Sequence, residues 1–425
     1  MSTQTTTRRE ILKGSVALAG LGVLGIPEWA FPALAQGETL VAFTDWPEAF
    51  VLERTPDRRI IDVREIDGPF TPPDQWFTTQ HYGHPEIDRA TYRLEVSGLV
   101  DRPLSLSLGD LRGLPSKELV FGFECSGNRG PVNGLSSNGR WTGVPLRTVL
   151  ERAGVQASAR EFVFFGADHG EEEVVFRGRT STVDQQYGRS LQRDIAVSDE
   201  PLLAYALNGE PLSTHQGRPL RLLVPGWYGA PNVKWLSEIH VQEDQYLGKY
   251  QARWYRTLKG EMVNGVMKWK ETAITKMRLK SYIARVTKMG NQHNVFGVIM
   301  HDGTPIRSVE VKVDDGPWQP ATLDPTTSET YSWKFFNFDW NGATAGEHTI
   351  TSRATDTSGY MQPTAEALGE VKKTFLEQNN QHPRTVMIAS RMALGRVCGP
   401  APPARPRLLE SSPTSWGSVS AVSST

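Results

Sequence analysis

The chain has 425 residues, with 46 Lys+Arg against 47 Asp+Glu and a formal net charge of −1. That balance excludes a nucleic-acid binder that works by neutralising phosphates, and 38% hydrophobic residues with 12 Trp exclude a disordered chain. Its two cysteines, Cys125 and Cys398, lie far apart, which excludes a disulfide framework and any zinc site needing three or four thiolates.

Residues 1–35 read as an export signal. Thr7-Arg8-Arg9-Glu10-Ile11-Leu12-Lys13 is a twin-arginine pattern, the apolar stretch Gly14 to Ile26 follows, and Ala33-Leu34-Ala35 is a small-x-small cleavage site. The apolar stretch falls short of the roughly 20 residues that span a bilayer. The expectation is a periplasmic protein with no membrane span in its mature chain. The twin-arginine route exports folded proteins, often with a cofactor already inserted, so a cofactor site is the first thing to look for. Residues 36–75 are a polar lead-in.

The block 76–275 mixes strands with short helices, which predicts an α+β fold rather than a regular βαβ series. Tyr92 to Val96 alternates apolar and polar residues and ends at Gly98. Leu104 to Leu114 predicts a short strand and a helical turn. Leu119 to Phe123 is an apolar run that predicts a buried strand, with the Cys125 loop directly after it. Val144 to Ala153 predicts a helix closed by Gly154. Phe162 to Phe165, Leu202 to Leu207, Leu220 to Val224 and Glu238 to Val241 predict further strands. Residues 246–275 are aromatic and basic without sustained periodicity, and read as a connector.

Over 276–390 the composition shifts to short alternating strands, such as Val309 to Val313 before the turn Asp314-Asp315-Gly316. This spacing predicts an immunoglobulin-like β-sandwich of about 100 residues. Residues 391–425 read as a disordered tail rich in Pro and Ser, with Cys398 a bystander near its start.

Cys125 is the chemical focus. It sits in Phe123-Glu124-Cys125-Ser126-Gly127-Asn128-Arg129-Gly130, a polar turn after a buried strand. Arg129 is expected to lower the thiol pKa. A thiolate so presented is either a nucleophile or a ligand to a soft metal that an organic cofactor already chelates. No C-x-x-C-H is present, so no haem is expected in this chain.

Several motifs stand together: Glu-Cys-Ser-Gly-Asn-Arg at 124–129, Gly139-Arg140-Trp141-Thr142-Gly143-Val144, Leu203-Ala204-Tyr205, Asn208 to Leu212, Arg218 to Gly226, and Val233-Lys234-Trp235-Leu236. In order and spacing they resemble the sulfite oxidase family of molybdenum enzymes, over about residues 70–388. The resemblance implies a molybdopterin-binding domain over 76–275 and a dimerisation domain over 276–390, assembled as a homodimer. It implies a molybdenum–molybdopterin cofactor with Cys125 as the metal ligand. His81, Asp168, His215, Arg221, Val233, Lys234 and Trp235 would hold the pterin and its phosphate. Tyr255 would hydrogen-bond at the metal site and move a proton in turnover.

The implied reaction is oxidation of a small oxyanion, sulfite, to sulfate, with electrons leaving to an external acceptor such as a cytochrome c. The anion pocket departs from the family pattern. Thr79, Gly130 and Phe375 stand where the family carries arginines, and Ser137 lies near its tryptophan. Arg129 and Arg140 are the candidates to compensate, so Arg140 joins Cys125 and Tyr255 as an expected catalytic residue. Two alternatives stay open: reduction of an S-oxide, N-oxide or other small substrate at the same cofactor, and a non-catalytic relative that keeps the fold.

Overall fold

The computed structural model describes residues 34, 37–46 and 58–389. The twin-arginine pattern and the expected disordered tail, with Cys398, lie outside the described residues. The described secondary structure is mostly sheet. Its helices are short, the longest being Leu146–Ala153 at eight residues. That helix forms where the sequence predicts it. Val149, Leu150 and Ala153 turn one face into the core, and Gly154 ends it in the left-handed conformation at φ 72°.

Two sheets position the site. In the first, the order is Arg221–Leu223, Leu202–Leu207, Ser136–Pro145, Lys117–Glu124, all antiparallel, with the short Glu210–Pro211 strand paired to Leu202–Leu207. In the second, the order is Leu104–Leu106, Leu94–Gly98, Leu236–Gln242, Glu161–Phe176, Arg179–Gln192, with Leu94–Gly98 and Leu236–Gln242 parallel. The Phe162 to Phe165 run lies in the stem of a much longer hairpin, which shifts register between Phe165 and His169 and continues to Phe176 opposite Arg179.

Residues 256–273, expected within a connector, form a hairpin of Arg256–Val263 and Val266–Ala273. Both strands are largely exposed, so no apolar alternation marks them. The turn Asn264-Gly265, with φ values of 49° and 76°, is the residue pair that a tight hairpin turn requires.

From residue 280 onward, two further sheets pack face to face. One runs Thr39–Val41, Lys280–Met289, Gln292–Met300, Lys334–Trp340, Thr322–Leu323; the other runs Gln319–Pro320, Ile306–Val313, Gly346–Asp356, Arg384–Ile388. Part of the lead-in therefore supplies an edge strand here. The space between these sheets is filled by Ile283, Val286, Val295 and Phe336 from one and Val309, Val311, Ile350 and Val386 from the other. The Lys280–Met289 strand is buried on both faces: Tyr282 and Ala284 turn instead into a cluster with Phe121, Phe123 and Trp141 of the Cys125 sheet. A continuous apolar core thus crosses the expected boundary near residue 275.

Candidate functional site

The ends of the first two sheets meet around a cleft with an empty volume, open mouth included, of about 610 Å³. Cys125 enters it from the end of the Lys117–Glu124 strand. The turn is fastened by Cys125 N donating to Leu135 O at 2.9 Å and Asn128 N donating to Cys125 O at 2.9 Å. The thiol pKa is raised, chiefly by burial, with Glu124 adding to the rise. This corrects the expectation built on Arg129, which is not among the charges acting on the thiol; its guanidinium lies 6.0 Å from the Phe375 ring centre. Only a cation at the sulfur would favour the thiolate here.

The cleft also gathers His81, Asp168, His215, Arg221, Lys234, Trp235 and Tyr255. Arg221 comes from its own short strand and is 3% exposed. Its guanidinium donates to Gln216 O at 3.0 Å and Asn232 O at 3.1 Å, and lies 5.1 Å from the Trp141 ring centre. Its Nε is buried without a partner, no acid pairs with it among the described residues, and burial pulls its pKa down to about 9. Lys234 lies beside it. Nζ donates to Thr78 Oγ1 at 3.1 Å and Thr79 O at 3.2 Å, and burial with the Arg221 charge pulls its pKa down to about 7.

Gly217 makes this corner possible. It is left-handed at φ 97°, and a Cβ there would meet Lys234 Cβ at 2.7 Å. The tight turn seats His215 on the cleft wall, where its Nε2 contacts Arg59 Nη2 at 2.7 Å. Asp168 is the cleft's carboxylate, and burial raises its pKa to about 6 against the pull of Lys234.

Across the cleft, His81 Nε2 and the Tyr255 hydroxyl are hydrogen-bonded at 2.8 Å. The imidazole stacks on Tyr250 at 4.6 Å between ring centres, and burial together with Lys249 and Lys234 pulls its pKa down to about 4. It is neutral over ordinary working pH. The Tyr255 phenol is pushed well up by burial and keeps its proton.

Arg140 is not brought to the cleft. It points outward from the Ser136–Pro145 strand, 3.5 Å from Glu118 and 5.3 Å from the Phe70 ring centre. Val233 is fully buried behind the lining, next to Asn232 and Lys234. Sequence reasoning did not single out Phe123, Tyr187 or Asn232, which also line the cleft. Phe123 and Tyr187 look like ordinary core residues in sequence. Asn232 had a signal, since it directly precedes Val233-Lys234-Trp235.

A pterin phosphate and a thiol-bound metal fit these residues. The cleft offers a thiol, a buried guanidinium with an unpartnered nitrogen, a half-buried lysine and one carboxylate. An anion would satisfy that cation excess.

The family model for the oxidoreductase molybdopterin-binding domain matches residues 81–250. The chain is 30% identical over 328 residues to mitochondrial sulfite oxidase of Mus musculus, covering 70% of this chain and 58% of that protein. It is 33% identical over 208 residues to an NADH nitrate reductase of Ulva prolifera, covering 44% of this chain and 22% of that one. The chain thus spans little more than half the length of the mouse protein. In fold it matches the crystal structure of the sulfane dehydrogenase SoxCD from Paracoccus pantotrophus, with a TM-score of 0.65, 24% identity, and coverage of 82% of this chain and 91% of that one. By these likenesses residues 81–250 are an oxidoreductase molybdopterin-binding domain, and the chain is similar to the sulfite oxidase family, with a cysteine, a cation pair and a tyrosine assembled in one cleft.

Proposed function

We propose that the protein oxidises sulfite to sulfate and passes the electrons to an external cytochrome. The observation that carries this reading is the assembly, in one cleft, of the Cys125 thiol, the Tyr255–His81 pair and the Arg221–Lys234 cations. Cys125 would hold the metal, and Arg221, Lys234 and His215 the cofactor's phosphate. Asp168 offers its pterin a carboxylate, while Asn232 braces the wall behind, its Oδ1 accepting from Val224 N and its Nδ2 donating to Tyr228 O. When bound, the group supplies oxygen-atom transfer to the substrate sulfur and takes up two electrons.

The reaction balances as sulfite plus water giving sulfate, two protons and two electrons. The protons need a path, and Tyr255 with a neutral His81 provides a donor and an acceptor in contact. By our reading the chain is exported to the periplasm through its twin-arginine signal. It pairs as a homodimer through the sheets after residue 280, which we read as immunoglobulin-like.

A second reading is favoured by the neutral residues at the expected anion pocket. Thr79 lines the cleft, and Ser137 is buried with its Oγ accepting from Phe77 N at 3.1 Å. Phe375 is 63% exposed. A cleft without those arginines suits a less charged substrate, such as an S-oxide or N-oxide, run in the reductive direction.

Molybdenum and pterin are measured in the purified protein, and sulfite-dependent reduction of cytochrome c in the same sample. About one molybdenum per chain with rapid reduction is expected. Molybdenum with no response to sulfite, but reoxidation of the reduced enzyme by an oxide, would replace the first reading with the second. Protein loaded under conditions that load a known relative, yet free of molybdenum, would defeat both and leave a non-catalytic relative.

A further inference from the structure

Behind the Cys125 loop, on the side away from the cleft, a lysine from the C-terminal sheets is buried against it. Lys280 opens the Lys280–Met289 strand and is 3% exposed. Its Nζ lies 2.5 Å from Glu124 Oε2 and donates to Asn128 O at 3.2 Å. Glu124 is fully buried and directly precedes Cys125. Asn128 donates from Nδ2 to the same Glu124 Oε2 at 2.8 Å and to Asn133 O at 3.1 Å, while its Oδ1 accepts from Leu135 N at 3.0 Å. The ion pair therefore grips the residue before the cysteine and the residue three after it, and ties both to the returning strand.

A buried ion pair is a costly way to fill a core, because apolar residues of the same volume often do so with equal or greater stability. What a charged pair adds is direction: Nζ has fixed acceptors, and the loop can settle in only one register upon them. We propose that Lys280 is a positioning residue for the Cys125 sulfur, acting through Glu124 and Asn128, so that the C-terminal sheets set the geometry of the thiol that meets the metal. The inference rests on the reading of Cys125 as the metal-holding thiol.

The test uses the full chain with Cys398→Ser, so that one thiol is counted. Glu124→Gln/Lys280→Met removes both charges together and leaves no unpaired ion in the core. The double variant is expected to fold with a melting temperature close to its parent's. Its Cys125 alkylation rate in the apoprotein is expected to shift at least about tenfold, and its molybdenum content per chain to fall by about the same factor, the range seen when outer partners of a ligand are lost. Lys280→Arg, which keeps the charge, is expected to retain more molybdenum than the double variant. A folded double variant with parental alkylation and molybdenum overturns the proposal. So does a double variant that does not fold, because the pair would then serve the fold at large. A parent that folds and loads no molybdenum defeats the reading of Cys125 itself, a different outcome from either.

Discussion

Two buried cations flank Cys125, and the protein treats them in opposite ways. Lys280, behind the loop, is matched by Glu124 at 2.5 Å. Arg221, on the cleft side, is as deeply buried, yet among the described residues it is met by carbonyl oxygens and aromatic faces and by no acid. The first arrangement is complete within the chain. The second is complete only when something anionic enters. A buried charge left without a counter-charge is expensive, so where one persists beside an open cleft, the missing partner is a ligand. The contrast separates the loop's support from its binding face without reference to any relative.

Substitutions on either side should break that contrast in different currencies. The largest effect belongs to the thiol between them. Cys125→Ser should stay folded, and its turnover should fall beyond the roughly 100-fold that loss of an outer partner brings. A variant with full turnover would mean that the chemistry needs another ligand. Next, Lys280→Met strands Glu124 as an unpaired buried carboxylate and should destabilise the fold by about 3–5 kcal/mol, read by denaturant melts of the apoprotein. Arg221→Met strands no acid. It should lower stability clearly less than Lys280→Met while reducing retained cofactor about 10- to 100-fold, read as pterin and molybdenum per chain. Equal stability losses at the two positions, with cofactor retained in Arg221→Met, would erase the distinction.

Much of this was legible in the amino-acid sequence, and the failures share a cause. Leu202–Leu207 forms over the residues predicted, since an apolar run in a central strand is buried on both faces. The helix ending at Gly154 was legible because its cap glycine is a local signal. The Arg256–Ala273 hairpin was hidden by exposure of its strands, although Asn264-Gly265 marked its turn. Lys280 was hidden for the opposite reason. A lysine opening a strand looks like a solvated surface residue until the fold places Glu124 against it. In the Cys125 loop the Asn128 side chain works as a brace, which its place in a polar turn did not reveal, and the left-handed backbone falls at Asn133, at φ 50°. Cys125 stood out from its polar turn, while the cleft's histidines and cations were named only through the family resemblance. Their electrostatic state was not legible, because nearness in sequence assigned Arg129 to Cys125 and burial sets the thiol instead.

Lys234 sharpens the cleft side of the comparison through pH. Burial and the neighbouring Arg221 hold it at about 7 rather than 10.5. Between those values the unfolded chain binds a proton that the folded chain does not, so this group makes the apoprotein more stable as pH rises. Below about 7 both states are protonated and the full cost is present. Lys234→Met removes that cost. Its stabilising effect on the apoprotein should be greatest near pH 6 and fade as pH approaches 10, read by melts of parent and variant side by side. A pH-independent difference would mean that Lys234 is solvated and that the cleft's cation excess is smaller than its geometry implies.

The smallest effect is expected outside the cleft, at Arg140. Its side chain is 41% exposed, its partner Glu118 is 60% exposed, and they stand 3.5 Å apart. Exposed pairs of this kind contribute about 0.2–1 kcal/mol. The neighbouring Trp141 turns the other way and is fully buried, so the alternation of the Ser136–Pro145 strand directs Arg140 to solvent. Arg140→Ala should therefore leave molybdenum content and turnover unchanged and shift stability by less than about 1 kcal/mol. A turnover loss of tenfold or more would require the substrate anion to reach this outer strand face, and the binding face of the Cys125 loop would then extend beyond the cleft defined by Arg221 and Lys234.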